Sequence, residues 1–421
     1  MKDTGFLTVS GRHGGLKVYH TEQEKNRKDF AGVTPGINIG IPQTLLMSLF
    51  VLVASVYIPF AVFSGTDTVG RLAFGFLSYA MAALGVVVIL WIARSLRFIL
   101  SYILILVALF LFAGSAVLPG IVSAFVSSVL VYAFTINKKP TLLLAVIPIL
   151  AYSVSYFICG SFLRAALCLF FYPPAIMLAL SVKTGASRVA SICRISAGIA
   201  LCFIAVGLGY VFIRNGSVSL DIIDETLEHT RTSVINALTN ALVQAYEAIG
   251  YDMSVNDAAS VSTTLVTGIF NVLPAIFVIC CNITAFFIQS LYVAVMIPYT
   301  DDREVIRRSL TFNMSLTSAT VFIVAYFMKA VLSADSTLVY AAAAENISLI
   351  LEPGLALTAL LAVRAFLQRK GPSCSGVLLY FLLLMLFLNL PGPMLSLASF
   401  GGAIFIIVSA VREHMNRKAG G

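Results

Sequence analysis

Long apolar stretches separated by short polar turns recur from residue 41 to residue 411. About 20 consecutive apolar residues carry a helix across a ~30 Å hydrocarbon core, so each stretch reads as a membrane span. The pattern predicts spans at Ile41–Phe63, Leu72–Ala93, Phe98–Ala113, Gly120–Ile136, Thr141–Ile158, Arg164–Val182 and Ile195–Ile213. A second set follows at Thr263–Pro298, Phe312–Leu332, Asn346–Phe366, Gly376–Leu390 and Pro393–Val411. The stretches 98–113 and 376–390 are short and fit tilted or re-entrant pieces. The expected fold is an all-α polytopic transmembrane helical bundle of roughly 10–12 spans, with one external amphipathic helix.

That amphipathic helix is predicted in residues 214–262, the long polar segment between the two halves. Leu220, Ile223, Leu227, Val234, Leu238, Leu242 and Tyr246 recur there at helical spacing. Asn215–Gly216–Ser217 reads as its start signal and Gly250 as its stop, while Ser254 with Asp257 resembles a capping box for the next helix. Such a helix either lies on the membrane surface or over the bundle, or forms a lid above an external vestibule. The chain then divides into a basic cytoplasmic tail (1–40), a first transmembrane half (41–213), the external segment (214–262), a second transmembrane half (263–411) and a short cytoplasmic tail (412–421).

Charge orients the bundle. With the N-terminus inside, all 27 Lys and Arg except Arg71, Arg164, Arg214, Arg231 and Lys329 fall on the cytoplasmic side. This positive-inside bias predicts a multi-pass protein of the cell membrane with both termini cytoplasmic. Residues 1–36 are polar, lack an apolar face and are expected to be dispensable for insertion. The net charge of +8 follows from the same placement, against an anionic leaflet, and implies no nucleic-acid partner.

Composition narrows the chemistry. The chain is 59% hydrophobic and 11% charged, where a soluble domain carries about 25% charged residues. None of the seven cysteines forms a CxxC pair or a Cys/His cluster with ligand spacing, so no metal site is expected. There is no P-loop, HExxH, GxSxG or dinucleotide turn, and the four His (13, 20, 229 and 414) lie outside the spans. No catalytic residue and no cofactor is expected, and the chain is read as a non-enzyme.

Polar residues within spans are therefore the candidates. Glu345 and Glu352 are seven apart and share a helix face with Asn346, and Pro353–Gly354 follows as a potential break. Carboxylates at a broken helix can bind a cation, proton or substrate; alternatively, Glu345 sits at the outer interface and Glu352 pairs with a basic residue. Asn271 and Asn282, eleven apart, lie on one face of the span 263–298, and Gln289 is seven further on. Amides there either join helices or line a solute path. Pro173–Pro174 is expected to free backbone carbonyls within an apolar run.

The second half carries a family resemblance. Phe270–Asn271–Val272–Leu273–Pro274 opens a long span, an Arg-rich turn follows at 303–308, and then come Glu345–Asn346–Ile347 and Gly354–Leu355–Ala356. A break at Pro391–Gly392–Pro393, a Gly-rich last span and Arg412–Glu413 complete the order. Over residues 40–415 this resembles the YybS-like family of bacterial membrane proteins, itself distantly similar to the S-components of energy-coupling-factor transporters. The resemblance implies a solute-binding subunit that works in the lipid bilayer with an energising membrane partner. The expected function is binding or transport of a small solute at Asn271, Asn282, Gln289, Glu345, Asn346 and Glu352. The alternative is a non-transporting envelope scaffold or regulator.

Overall fold

The structure is a computed structural model. It describes residues 41–63, 68–93, 96–138, 142–296, 312, 314–332, 339–369 and 391–419. The predicted tail 1–40, the Arg-rich turn 303–308 and the predicted span 376–390 lie outside the described residues. Among those described, the regular structure is helical and there is no strand. Seven helices are long and apolar enough to cross a membrane, and four shorter apolar helices accompany them.

The chain folds into two compact units, one holding residues 41–223 and 280–296, the other 224–279 and 312–419. The first unit contains α1 (Ile41–Phe63), α2 (Thr68–Ala93), α3 (Leu96–Ala113), α4 (Val117–Lys138), α5 (Leu142–Cys159), α6 (Phe162–Ala166), a 3-10 turn (Leu167–Leu169), α7 (Tyr172–Lys183) and α8 (Arg188–Asn215). α4 is its centre, packed by α1, α2, α3 and α7. Its small and hydroxyl-bearing residues explain the position: Gly120, Ser123, Ala124, Ser127 and Ser128 let neighbouring backbones approach closely. A Cβ at Gly85 of α2 would overlap the Ser123 hydroxyl, and Gly120 stands against Tyr57 and Ser78. Hydroxyls fasten these helices together, Tyr57 donating to Ser78 Oγ at 2.8 Å and Ser123 to the Ala82 carbonyl at 3.2 Å. Large apolar side chains face outward, with Phe112 and Phe157 90% and 86% exposed, as they must when the surrounding solvent is hydrocarbon.

Pro173–Pro174 do not interrupt a helix as predicted. They occupy the first turn of α7, where a proline's missing N–H costs nothing. The span 164–182 is instead broken upstream, at the 3-10 turn, and the Phe170 carbonyl there accepts from the Cys202 thiol at 3.6 Å.

The remaining helices are α9 (Leu220–Ala248), α10 (Val255–Met296), α11 (Leu316–Leu332), α12 (Val339–Arg369) and α13 (Pro391–Ala419). The predicted amphipathic segment resolves into α9 and its flanks. Gly216, at φ +73°, ends α8, and Ser219 Oγ caps α9 by accepting from Ile222 N. The expected capping box is present, with Asp257 N donating to Ser254 Oγ at 3.1 Å and Ser254 Oγ to Asp257 Oδ2 at 2.6 Å. α9 and the start of α10 form an αα-hairpin across which Arg231 donates to Thr267 Oγ1 at 2.7 Å. The 42 residues of α10 span about 63 Å, roughly twice the hydrocarbon core.

In the second unit α11, α12 and α13 pack around Ala319, Phe322, Leu355 and Ala403. Lys329 meets Glu345 and Met314 meets Gly354, so α11 and α12 run antiparallel. Ser399 meets Glu352 and Gly402 meets Leu355, so α12 and α13 run parallel. A Cβ at Gly402 would overlap the Leu355 carbonyl oxygen, which is why this seam takes a glycine. Pro353 does not break its helix: α12 is continuous from Val339 to Arg369. One missing N–H is tolerated where tightly packed turns hold both sides.

Candidate functional site

Helix α12 carries the polar tract. Its apolar window runs from Tyr340 to Val363, which places Glu352 at mid-span. Glu345 lies two turns earlier, about 10 Å along the axis. Glu345 Oε1 takes an ion pair from Lys329 Nζ at 2.9 Å, with both side chains roughly two-fifths exposed. This is no isolated interface carboxylate but half of an ion pair linking α11 to α12. Lys329 also acts electrostatically on Glu352.

Glu352 itself is 7% exposed. Its Oε1 accepts from Ser396 Oγ at 3.1 Å. The neighbouring Ser399 hydroxyl is directed instead to the backbone carbonyls of Glu352 (2.8 Å) and Leu395 (2.7 Å). No cation makes an ion pair with Glu352 among the described residues. Carboxylates at the centre of a spanning helix cost about 2.5 kcal/mol or more on insertion scales, and burial relieves that only where a proton, a cation or donors are supplied. One hydroxyl is a sparse supply.

Asn346 does something different. Its Oδ1 accepts from Ala275 N at 2.9 Å, and its Nδ2 donates to the carbonyls of Asn271 and Ala342, both at 2.8 Å. Ala275 N–H and Asn271 C=O are four residues apart, the pair that would bond each other in an uninterrupted helix. Pro274 sits between them. Its ring crowds the Phe270 carbonyl and opens the ladder at that turn. The amide of Asn346 fills the opening and splices α12 onto α10. Asn271 thus takes part through its backbone, while its side chain is exposed.

The other two predicted amides belong to the other unit. Asn282 is half-buried. Gln289 is 4% exposed and accepts from Arg188 Nε at 3.1 Å, while Arg188 Nη2 donates to Ser290 Oγ at 2.7 Å. The same guanidinium lies 4.7 Å from the Phe286 ring centroid. Arg188 starts α8, whose N-cap is Ser187, so the helix start fixes the guanidinium against α10. The predicted set therefore separates into a Glu345–Asn346–Glu352 tract with the Asn271 backbone, a Gln289–Arg188 clasp, and Asn282.

Sequence reasoning misses several participants. Lys329 reads there only as an outward charge, although a cation in the last turn of an apolar helix is itself a site candidate. Ser396 and Ser399 carry no signal, since serine is common in membrane helices. Arg188 reads as part of a basic loop. Among the described residues no group of three His, Cys, Asp or Glu could hold a metal ion.

Fold and site together define an all-α, multi-pass membrane protein with a carboxylate buried at mid-span. The chain belongs to the family described as predicted membrane protein (DUF2232), whose model matches residues 104–400, from within α3 to within α13. No curated protein and no solved structure gives a significant match.

Proposed function

We propose that the protein binds a small solute and carries it across a bacterial cell membrane, as a YybS-like relative of energy-coupling-factor S-components, with both termini cytoplasmic. The observation that carries this reading is Glu352, a carboxylate 7% exposed at the centre of a span and met by one neutral hydroxyl. A residue that only joined helices would be better served by an amide, as Asn346 is. Glu345, Lys329 and Ser396 complete the tract, and the Gln289–Arg188 clasp braces the other unit. The role is that of a carrier without chemical catalysis, energised by an ion gradient or a membrane partner.

The test is equilibrium dialysis of the purified protein against a water-soluble cell extract, read by mass spectrometry. A solute enriched by the wild type and lost in Glu352→Gln is the expected result. Enrichment by neither protein, with both folded, overturns the reading. Topology is tested separately by labelling single cysteines placed at Ser217 and Ser373. An impermeant reagent added outside is expected to reach 217 and not 373, and the reverse would invert the assignment.

A second reading, an envelope scaffold, draws on α9. Asp221, Asp224, Glu225 and Glu228 are all exposed on its first turns, beside exposed Leu220 and Leu227. An unchanged dialysis profile together with loss of a phenotype on deleting 220–252 would favour it.

A further inference from the structure

We propose that Glu352 is a proton-binding site, reached from the Lys329–Glu345 end of α12, and that the proton is the ion coupled to transport. The coupling role rests on the carrier reading above; the proton site does not.

The donor set around the carboxylate decides which cation fits. A calcium ion takes six to eight oxygens and magnesium demands six in near-octahedral array. Sodium sites in membrane carriers likewise recruit unwound backbone carbonyls. Here α12 runs unbroken through Glu352 and Pro353, so its carbonyls stay along the helix axis. Ser396 Oγ is the one side-chain oxygen bonded to the carboxylate, and Ser399 is turned to backbone. A proton needs far less: one carboxylate oxygen to hold it and one hydrogen-bond partner, which Ser396 supplies. The step is H3O+ plus carboxylate giving water plus carboxylic acid, with no other bond changed.

The groups facing Glu352 are few. α11 presents Lys329, which is paired with Glu345. α13 presents Ser396 and Ser399, its Arg412, Glu413 and His414 lying several turns further along. The stretch of α10 bound to Asn346, residues 271–275, carries no titratable side chain. On α12 itself Glu345 stands two turns away, and Ser348 lies between them, three residues after Glu345 and four before Glu352. Ser348 is 2% exposed and donates back to the Ala344 carbonyl, which leaves its oxygen to accept. Glu345, Ser348 and Glu352 therefore form one polar stripe from a partly exposed ion pair to a buried carboxyl.

Infrared difference spectroscopy of the full-length protein in lipid nanodiscs, between alkaline and acidic buffer, tests this without any solute. The wild type is expected to show a carboxylic-acid carbonyl band that shifts in D2O and is lost in Glu352→Gln. Lys329→Met with Glu345→Gln is expected to keep the band and slow its exchange several-fold. Should Glu352→Gln fail to fold, Ser396→Ala serves instead, because removing the hydrogen bond must move the band. A folded Glu352→Gln or Ser396→Ala protein with an unchanged spectrum overturns the proposal. So does thermal stabilisation by sodium chloride over choline chloride that Glu352→Gln abolishes, which would assign a metal cation. A solute bound without the band would sink the proton site alone; the band without any bound solute would sink the carrier reading alone.

Discussion

Replacing Asn346 by alanine tests whether the amide truly closes the gap at Pro274. The substitution deletes two bonds to α10 and one back-bond within α12. Interhelical side-chain bonds in membranes average about 0.6 kcal/mol with a maximum near 1.7. Orphaning a buried backbone N–H adds a desolvation cost of about 1–3 kcal/mol. Ala275 N–H cannot recover its helical partner, because Pro274 holds the turn open. These contributions overlap, and together they predict a loss of about 2 kcal/mol. The decisive measurement is a double-mutant cycle with Pro274→Ala, read by reversible unfolding in mixed micelles. In that background the Ala275–Asn271 bond can form, and Asn346→Ala is expected to cost less than about 0.5 kcal/mol, as a near-neutral exposed substitution does. Equal costs in both backgrounds would show that Asn346 does not act through the break. Asn346→Asp, which keeps the acceptor and loses the donors, should fall between.

Two further substitutions follow from close approaches between helices. Gly402→Ala drives a methyl into the Leu355 carbonyl and should destabilise the α12–α13 seam by about 1–3 kcal/mol, whereas Gly354→Ala meets only the flexible Met314 thioether and should cost less than about 1 kcal/mol; thermal unfolding in detergent compares the pair. Arg188→Lys keeps the charge but loses the fork that reaches Gln289 and Ser290, as well as the position over the Phe286 ring, and should cost about 1–2 kcal/mol in the same assay.

The bilayer makes spans legible because it imposes a one-dimensional rule, apolar for a certain length, that any single sequence displays. The helices at 41–63, 316–332 and 188–215 lie where that rule puts them. Caps are legible for the same reason: Ser254 and Asp257 are three apart and need no distant partner. What stays hidden is which side chain meets which across space. Asn271, Asn282 and Gln289 share a face by spacing, yet one is joined through its backbone, one is half-buried and one holds an arginine 101 residues away. Periodicity assigns a face; it does not assign the neighbour on that face. Prolines mislead in the same way. Pro353 and Pro173–Pro174 read as breaks, but one is carried inside a packed helix and the others start one. Pro274, whose gap is spliced by a residue 72 positions later in the chain, has only the generic signal of a proline within a span.

Helix α12 sets two polar side chains in contrast, and the contrast bears on function. Asn346 has both donors and its carbonyl oxygen in use, each on a backbone group. That is how a buried polar residue looks when its work is structural, since satisfied polar groups stabilise and half-satisfied ones do not. Glu352, six residues on, is more deeply buried and has one neutral donor on its carboxylate. Glutamine would have nearly the same shape, would accept the same Ser396 bond and would avoid the cost of charge at mid-membrane. Ser399 already ties α13 to the backbone at this level, so packing does not depend on the carboxyl group. What a carboxyl group adds over an amide at that depth is an exchangeable proton, and the polar stripe back to Glu345 gives that proton a direction.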